Sequence, residues 1–128
     1  MTVDTSDILD PDAAQAYLRG WKSRIDRMAA DTGAMSERLG QLRVRGAYDN
    51  ELVEVTIDSN GVLVGIRFTA RIQRVAPEAV EQAVMAALRS ARLTAARQAR
   101  EIVAETMGPE SVAAQTIAAR IERQLSDD

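Results

Sequence analysis

The 128-residue chain contains no cysteine and no histidine, one lysine (Lys22), and four aromatic side chains, Tyr17, Trp21, Tyr48 and Phe68. Without cysteine there is no disulfide framework and no thiolate site for zinc or an iron–sulfur cluster. Without histidine the chain lacks the side chain best suited to proton transfer near neutrality, so neither a Ser-His-Asp triad nor an imidazole metal site can be built. Four aromatics are too few for an extended base-stacking platform. The longest run without a charge, residues 111–119, is about half of what a membrane span needs. The N-terminus carries Asp4, Asp7, Asp10 and Asp12 and has neither the basic nor the apolar region of a signal peptide. A cytoplasmic protein without membrane attachment and without a thiolate or imidazole metal site is the expectation. The reading is not an enzyme, although a carboxylate-only site is not excluded by composition.

What is present is apolar and alanine-rich: 46% of residues are hydrophobic and 27% charged, both near globular averages. Residues 1–10 form an acidic leader without periodicity. Asp10-Pro11-Asp12 then reads as a helix start, with a capping carboxylate, proline at the first helical position and an acid matched to the helix dipole. An apolar ladder follows through Ala14, Leu18, Trp21, Ile25, Met28, Thr32, Met35, Leu39 and Leu42. Its spacings of four and three are those of a seam packed along another long helix. From Arg43 the period changes to two. Residues 43–48 and 51–58 read as strands, the second with Val53, Val55 and Ile57 on one face. Ser59-Asn60-Gly61 reads as a tight turn, and residues 62–68 as the return strand, with Val62, Val64, Ile66 and Phe68 together. After a connector, Pro77 opens a second long helix with an apolar stripe through Val80, Val84, Ala87, Ala91, Ala95 and Ile102. Gly108-Pro109 stops it, and a last helix carries Ala113, Ile117, Ile121 and Leu125 at spacing four.

The expected fold is therefore α+β: a long N-terminal helix, a three-stranded antiparallel β-meander, a long second helix and a short C-terminal helix. The expected division is a leader at 1–10, a domain at 11–107 and a C-terminal extension at 108–128. At 1.5 Å per residue the two long helices reach about 48 and 45 Å. A compact domain of this size is about 36 Å across. Their stripes overshoot a small sheet whose edges are open, and a homodimer would cover both. The residues expected in the core or the dimer contact are Leu18, Trp21, Ile25, Met28, Val53, Val55, Ile57, Val64, Ile66 and Val84.

The order of elements, the segment Glu51 to Phe68 and the proline-started, alanine-rich helix from Pro77 to Ala104 resemble the YbaB/EbfC family of small bacterial nucleoid-associated proteins. The resemblance spans roughly residues 12–106. It implies an intertwined homodimer, no cofactor, and binding of double-stranded DNA with little sequence preference by the projecting helices. Arginine in place of lysine, with so much alanine, points to a GC-rich genome and an actinobacterial member. Some of those are encoded near type VII secretion systems, where an accessory role is the alternative.

Charge bears on the choice. The net charge is −3, yet it is unevenly spread. Residues 1–12 carry −4, residues 13–48 carry +4, the hairpin 49–66 carries −4, residues 67–107 carry +3, and the remainder carries −2. Positive charge thus concentrates on the two long helices. On the second, Arg89, Arg92, Arg97 and Arg100 fall in one arc of roughly 140° opposite the apolar stripe. On the first, Arg19, Lys22, Arg24 and Arg27 cluster, with Lys22 and Arg24 flanking the seam. These eight are the candidate phosphate contacts, and the same arcs also fit solvated helix faces. Glu54 and Asp58 lie about 13 Å apart along a strand, too far for one cation. They read as a solvated face. Two functions stay open: a sequence-tolerant DNA-binding dimer, or a cytosolic interaction module that takes a protein partner through the C-terminal helix.

Overall fold

The computed structural model describes residues 10–48 and 52–126. Residues 1–9 of the leader, the hairpin acids Asp49 and Glu51, and Asp127 and Asp128 lie outside the described residues. The order is α1 (Pro11–Gln41), β1 (Val44–Tyr48), β2 (Val53–Ile57), β3 (Leu63–Phe68), a 3-10 turn (Ala70–Arg74), α2 (Pro77–Met107) and α3 (Val112–Ser126). The α+β topology is the one expected. The 3-10 turn is an addition, since residues 69–76 read only as a connector.

Each boundary has a local cause. The Asp10 carboxylate accepts a hydrogen bond from the Asp12 amide at 3.0 Å, and Pro11 occupies the first helical turn. At the other end of α1, Arg43 Nη1 donates to the carbonyls of Gly40 and Leu42 at 3.2 and 2.8 Å, satisfying acceptors that helix geometry leaves open. Arg43 thus serves the helix end. Helix α1 is continuous through Asp31-Thr32-Gly33.

The three strands form one antiparallel sheet in the order β1-β2-β3. Val53 stands opposite Phe68, and Val55 opposite Ile66. The register shifts at Thr56/Ile57, next to the turn. The Asp58 carboxylate holds that turn by accepting from the amides of Asn60 and Val62 at 2.9 and 3.0 Å. Gly61 there has φ of 81°, a value that favours glycine. Asp58 is therefore a turn-forming residue, where the sequence placed it on a solvated strand face.

Helix α2 lies across β1 and β2, and its contact stripe is alanine: Ala83, Ala87, Ala91, Ala95 and Ala99 are all buried. Of the expected stripe, Ala87, Ala91, Ala95 and Ile102 are buried, whereas Val80 and Val84 sit at its half-buried margin and Ala83, Ala99 and Val103 join it. Small residues let the helix approach the sheet closely, and Gly46 completes the fit. A Cβ on Gly46 would stand 2.3 Å from the Ala87 carbonyl oxygen and 2.8 Å from the Ala91 amide nitrogen. Opposite, Val44, Leu52, Val53, Val55 and Ile57 fill the core.

Strand β3 is left out of this core. Every β3 residue except Gly65 is exposed, Val64 and Ile66 included. Leu18, Trp21, Ile25 and Met28 on α1 are likewise exposed, Trp21 at 51%. Of the ten residues expected in the core or the dimer contact, Val53, Val55 and Ile57 are core, and Val84 borders it. The other six are not core residues of the single chain, because α2 is too narrow to reach β3 and α1 contacts the body only through its C-terminal half.

Gly46→Ala is expected to lower stability by about 1–3 kcal/mol, the range for overpacking a filled core. Gly33→Ala, where an added Cβ meets nothing within 4 Å, is expected to raise it by about 1 kcal/mol. Urea denaturation of the two variants beside the parent measures both.

Candidate nucleic-acid interface

Residues 11–30 of α1 contain no buried position, so this part of the helix stands off the body as an arm. Its basic cluster, Arg19, Lys22, Arg24 and Arg27, is exposed. Lys22 pairs with Asp26 one turn on, at 3.4 Å between two exposed side chains, an arrangement worth only a few tenths of a kcal/mol. Arg24 and Arg27 border a cleft of about 190 Å³ whose far wall is Met107 and Ser111, at the link between α2 and α3.

The arm is anchored at its other end. Met35 is buried against Val103 and Ala114, with Leu39 beside it. Arg38 reaches Glu105 on α2 at 2.7 Å, both side chains about half exposed.

The arginine arc of α2 is differently placed. Helix α3 packs along it. Leu125 and Ile121 join the main core cluster with Ala96, and Ala114 and Ile117 pack near Val103. Arg89 and Arg92 border a cleft of about 220 Å³ whose other wall is Glu122, Leu125 and Ser126. Arg100 forms an ion pair with Glu122. Helix α2 is thus enclosed on two sides, by the sheet and by α3. Helix α3 takes one flank of the arc, where Arg92 is half-buried, while Arg89, Arg97 and Arg100 stay exposed. Arg97 borders neither of the two clefts beside Glu122.

The eight candidate residues do not form one patch. Arg24 and Arg27 lie near Met107, whereas Arg89 is ~27 Å of helix axis away. The residue that sequence reasoning missed is Glu122. The spacing of Ile117, Ile121 and Leu125 identified an amphipathic helix, and nothing in it said which face of α2 the helix would meet. The stripe itself is corrected at one position: Ala114 is buried and Ala113 exposed.

Among the described residues no group of three or more acids is placed to hold a metal ion, and no helix is long and apolar enough to cross a membrane. No polar or charged residue is buried there.

The sequence profile of the YbaB/EbfC DNA-binding family matches residues 18–110. The chain belongs to this family. Its members are non-catalytic DNA-binding proteins, and this one is not an enzyme. Among curated proteins none matches the sequence. The profile spans most of the arm, the sheet and α2, and it stops before α3 begins at Val112.

The α1 arm is held mainly by apolar contact. Met35→Ala is expected to cost about 2–5 kcal/mol, and Glu105→Gln less than about 1 kcal/mol, because its ion pair is exposed. Urea midpoints of the two variants give the comparison.

Proposed function

We propose that the protein is a nucleoid-associated homodimer that binds double-stranded DNA largely without regard to sequence. The observation that carries this reading is the α1 arm: a helical segment with no buried residue, bearing four basic side chains and, on another face, a continuous apolar seam. A helix that exposes Leu18, Trp21, Ile25 and Met28 in one stripe lacks its packing partner. A second copy supplies one. It also answers for β3, where Ile66 and Phe68 share the sheet face that α2 covers over Val53 and Val55 yet stay exposed. Arg19 and Arg27 lie on the side of α1 away from the seam, so they stay accessible once the seam is covered.

No base-reading device accompanies the arm, in keeping with contact to phosphate rather than to base edges. On this reading residues 11–107 are the DNA-binding unit, 108–128 are an extension, and the protein works in the cytoplasm at the nucleoid. The arginine-rich, alanine-rich composition supports an actinobacterial member. The exposed seam also supports the alternative, an accessory module of the type VII secretion-associated kind that takes a helix from another protein. The two part on mass and on DNA.

Light scattering at micromolar concentration is expected to give twice 13.9 kDa. The fluorescence of Trp21, the only tryptophan, is expected to shift to the blue as concentration rises through the dimer transition. A mass of one chain overturns the dimer.

Gel shifts on unrelated duplexes are expected to give similar affinities that fall steeply with salt. Replacing Arg19, Arg24 and Arg27 together by alanine is expected to lower the slope of log affinity against log salt by about 3, near 0.9 for each phosphate that is no longer neutralised. No shift at low salt overturns the DNA reading.

A further inference from the structure

Helix α3 lies beyond the family match, which ends at residue 110, yet it is part of the body. Ala114, Ile117, Ile121 and Leu125 pack into the two core clusters, and the first three help to seat α1 at Met35 and Leu39. These contacts fix the rotation of α3. The surface it turns to solvent is therefore a fixed one, set relative to the α1 arm.

On that surface stand Arg120 and Arg123, both exposed. Among the described residues neither side chain has a carboxylate or hydrogen-bond partner. The charge of −2 summed over residues 108–128 misstates this face. Glu122, the one acid within α3, points back to α2 and pairs with Arg100. Glu110 precedes the helix, and Asp127 and Asp128 follow it in sequence. Thr116, Ala119 and Gln124, beside the two arginines, are exposed and uncharged.

Helix geometry relates the pair to the arm. Arg24 and Arg27 on α1 share the cleft of about 190 Å³ with Ser111 and Ala113 at the start of α3, and Asp31 is the one acid there. At 100° per residue, Arg120 lies within about 20° of Ala113 around the α3 axis and about 10 Å farther along it. Arg123 is about 5 Å beyond that. The side of α3 that borders the arm's cleft thus leads on to two more arginines. Phosphates of one DNA strand advance about 3.4 Å per nucleotide, so the 15 Å or so from Ala113 to Arg123 covers roughly four nucleotides.

We propose that the outer face of α3 is a second DNA-contacting surface, on which Arg120 and Arg123 take phosphates adjoining those held by Arg24 and Arg27. It rests on the DNA-binding reading given above and carries the contact from the arm onto the body. Because α3 is already packed, these contacts form without the cost of ordering a free tail.

Arg120→Ala with Arg123→Ala tests this in the full chain. Both side chains are exposed, so the urea midpoint is expected to stay at that of the parent. The probe is a 30-base-pair duplex of arbitrary sequence, titrated between about 50 and 200 mM salt. The slope of log affinity against log salt is expected to fall by about 2, so that the affinity lost over this interval shrinks about tenfold. Arg120→Lys with Arg123→Lys keeps both charges and is expected to keep the slope. Arg45→Ala with Arg74→Ala removes two exposed arginines elsewhere and is expected to leave the slope unchanged. Since the chain has no cysteine, an iron chelate on Gln124→Cys is a unique label. It is expected to cut the bound duplex, whereas the same chelate on Ala47→Cys, on β1, is expected not to.

An unchanged slope in Arg120→Ala with Arg123→Ala, or no cutting from Gln124→Cys, overturns the α3 contact. It leaves the arm reading standing if the variant lacking Arg19, Arg24 and Arg27 still loses slope. An equal fall in Arg45→Ala with Arg74→Ala also overturns it, because net charge then accounts for the loss. No shift by the parent at low salt overturns both readings.

Discussion

The close approach of α2 to β1 is the constraint on which the other features depend. It exists because Gly46 has no Cβ and because the facing helix residues are alanines at every fourth position. Backbone rests nearly on backbone. A glycine inside a strand ordinarily weakens it. Here it is the condition for the layer to form, and the loss in strand propensity is offset by the contact it permits. The same closeness fixes the rotation of α2 about its axis. With Ala87 and Ala91 held against the sheet, the arc bearing Arg89, Arg92 and Arg100 must face away from it, and that is where α3 docks.

The net charge of −3 is a poor guide to such a molecule. Field strength at a surface depends on which charges share a face and on how far apart they lie relative to a screening length of about 8 Å at physiological salt. The positive side chains of the α1 arm stand clear of the body. Those of α2 sit beside a carboxylate brought in by another element. Two sets of similar composition therefore have different neighbours, although most members of both are exposed.

Much of this was legible in the sequence. The α1 start at Asp10-Pro11, the alternation around Val53, Val55 and Ile57, the turn at Asn60-Gly61 and the stop at Gly108-Pro109 are local signals. They act within a few residues, and the structure follows them. The role of Gly46 was not legible, since a glycine in a strand pattern fits a bulge as well as a close approach. Nor was the role of Asp58, because alternation assigns a face to a side chain without saying that it bends back to its own turn. The position of α3 depends on which of two faces of α2 the sheet takes first. Alanines occur all round that helix, at Ala86, Ala96 and Ala104 as well as along the buried stripe, so periodicity alone leaves its rotation loosely set.

An alanine core has an energetic consequence. Six of the buried apolar residues are alanines, Ala83, Ala87, Ala91, Ala95, Ala99 and Ala114, and each removes far less apolar surface from water than a leucine or isoleucine does. At roughly 25 cal/mol per Å², close packing by small side chains gives geometric definition with little hydrophobic driving force. Many of the larger apolar side chains, among them Leu18, Trp21, Ile25, Met28, Ile66 and Phe68, are instead on the surface of the single chain. Its greatest reserve of unburied apolar area is therefore in the arm and at the sheet edge. If the proposed dimer buries that area, folding and association become one equilibrium, and apparent stability rises with protein concentration. The arms proposed to reach for DNA and the surfaces that would join two copies are parts of the same helix. In such a dimer, side chains on one side of α1 would set how firmly the basic groups on the other are held.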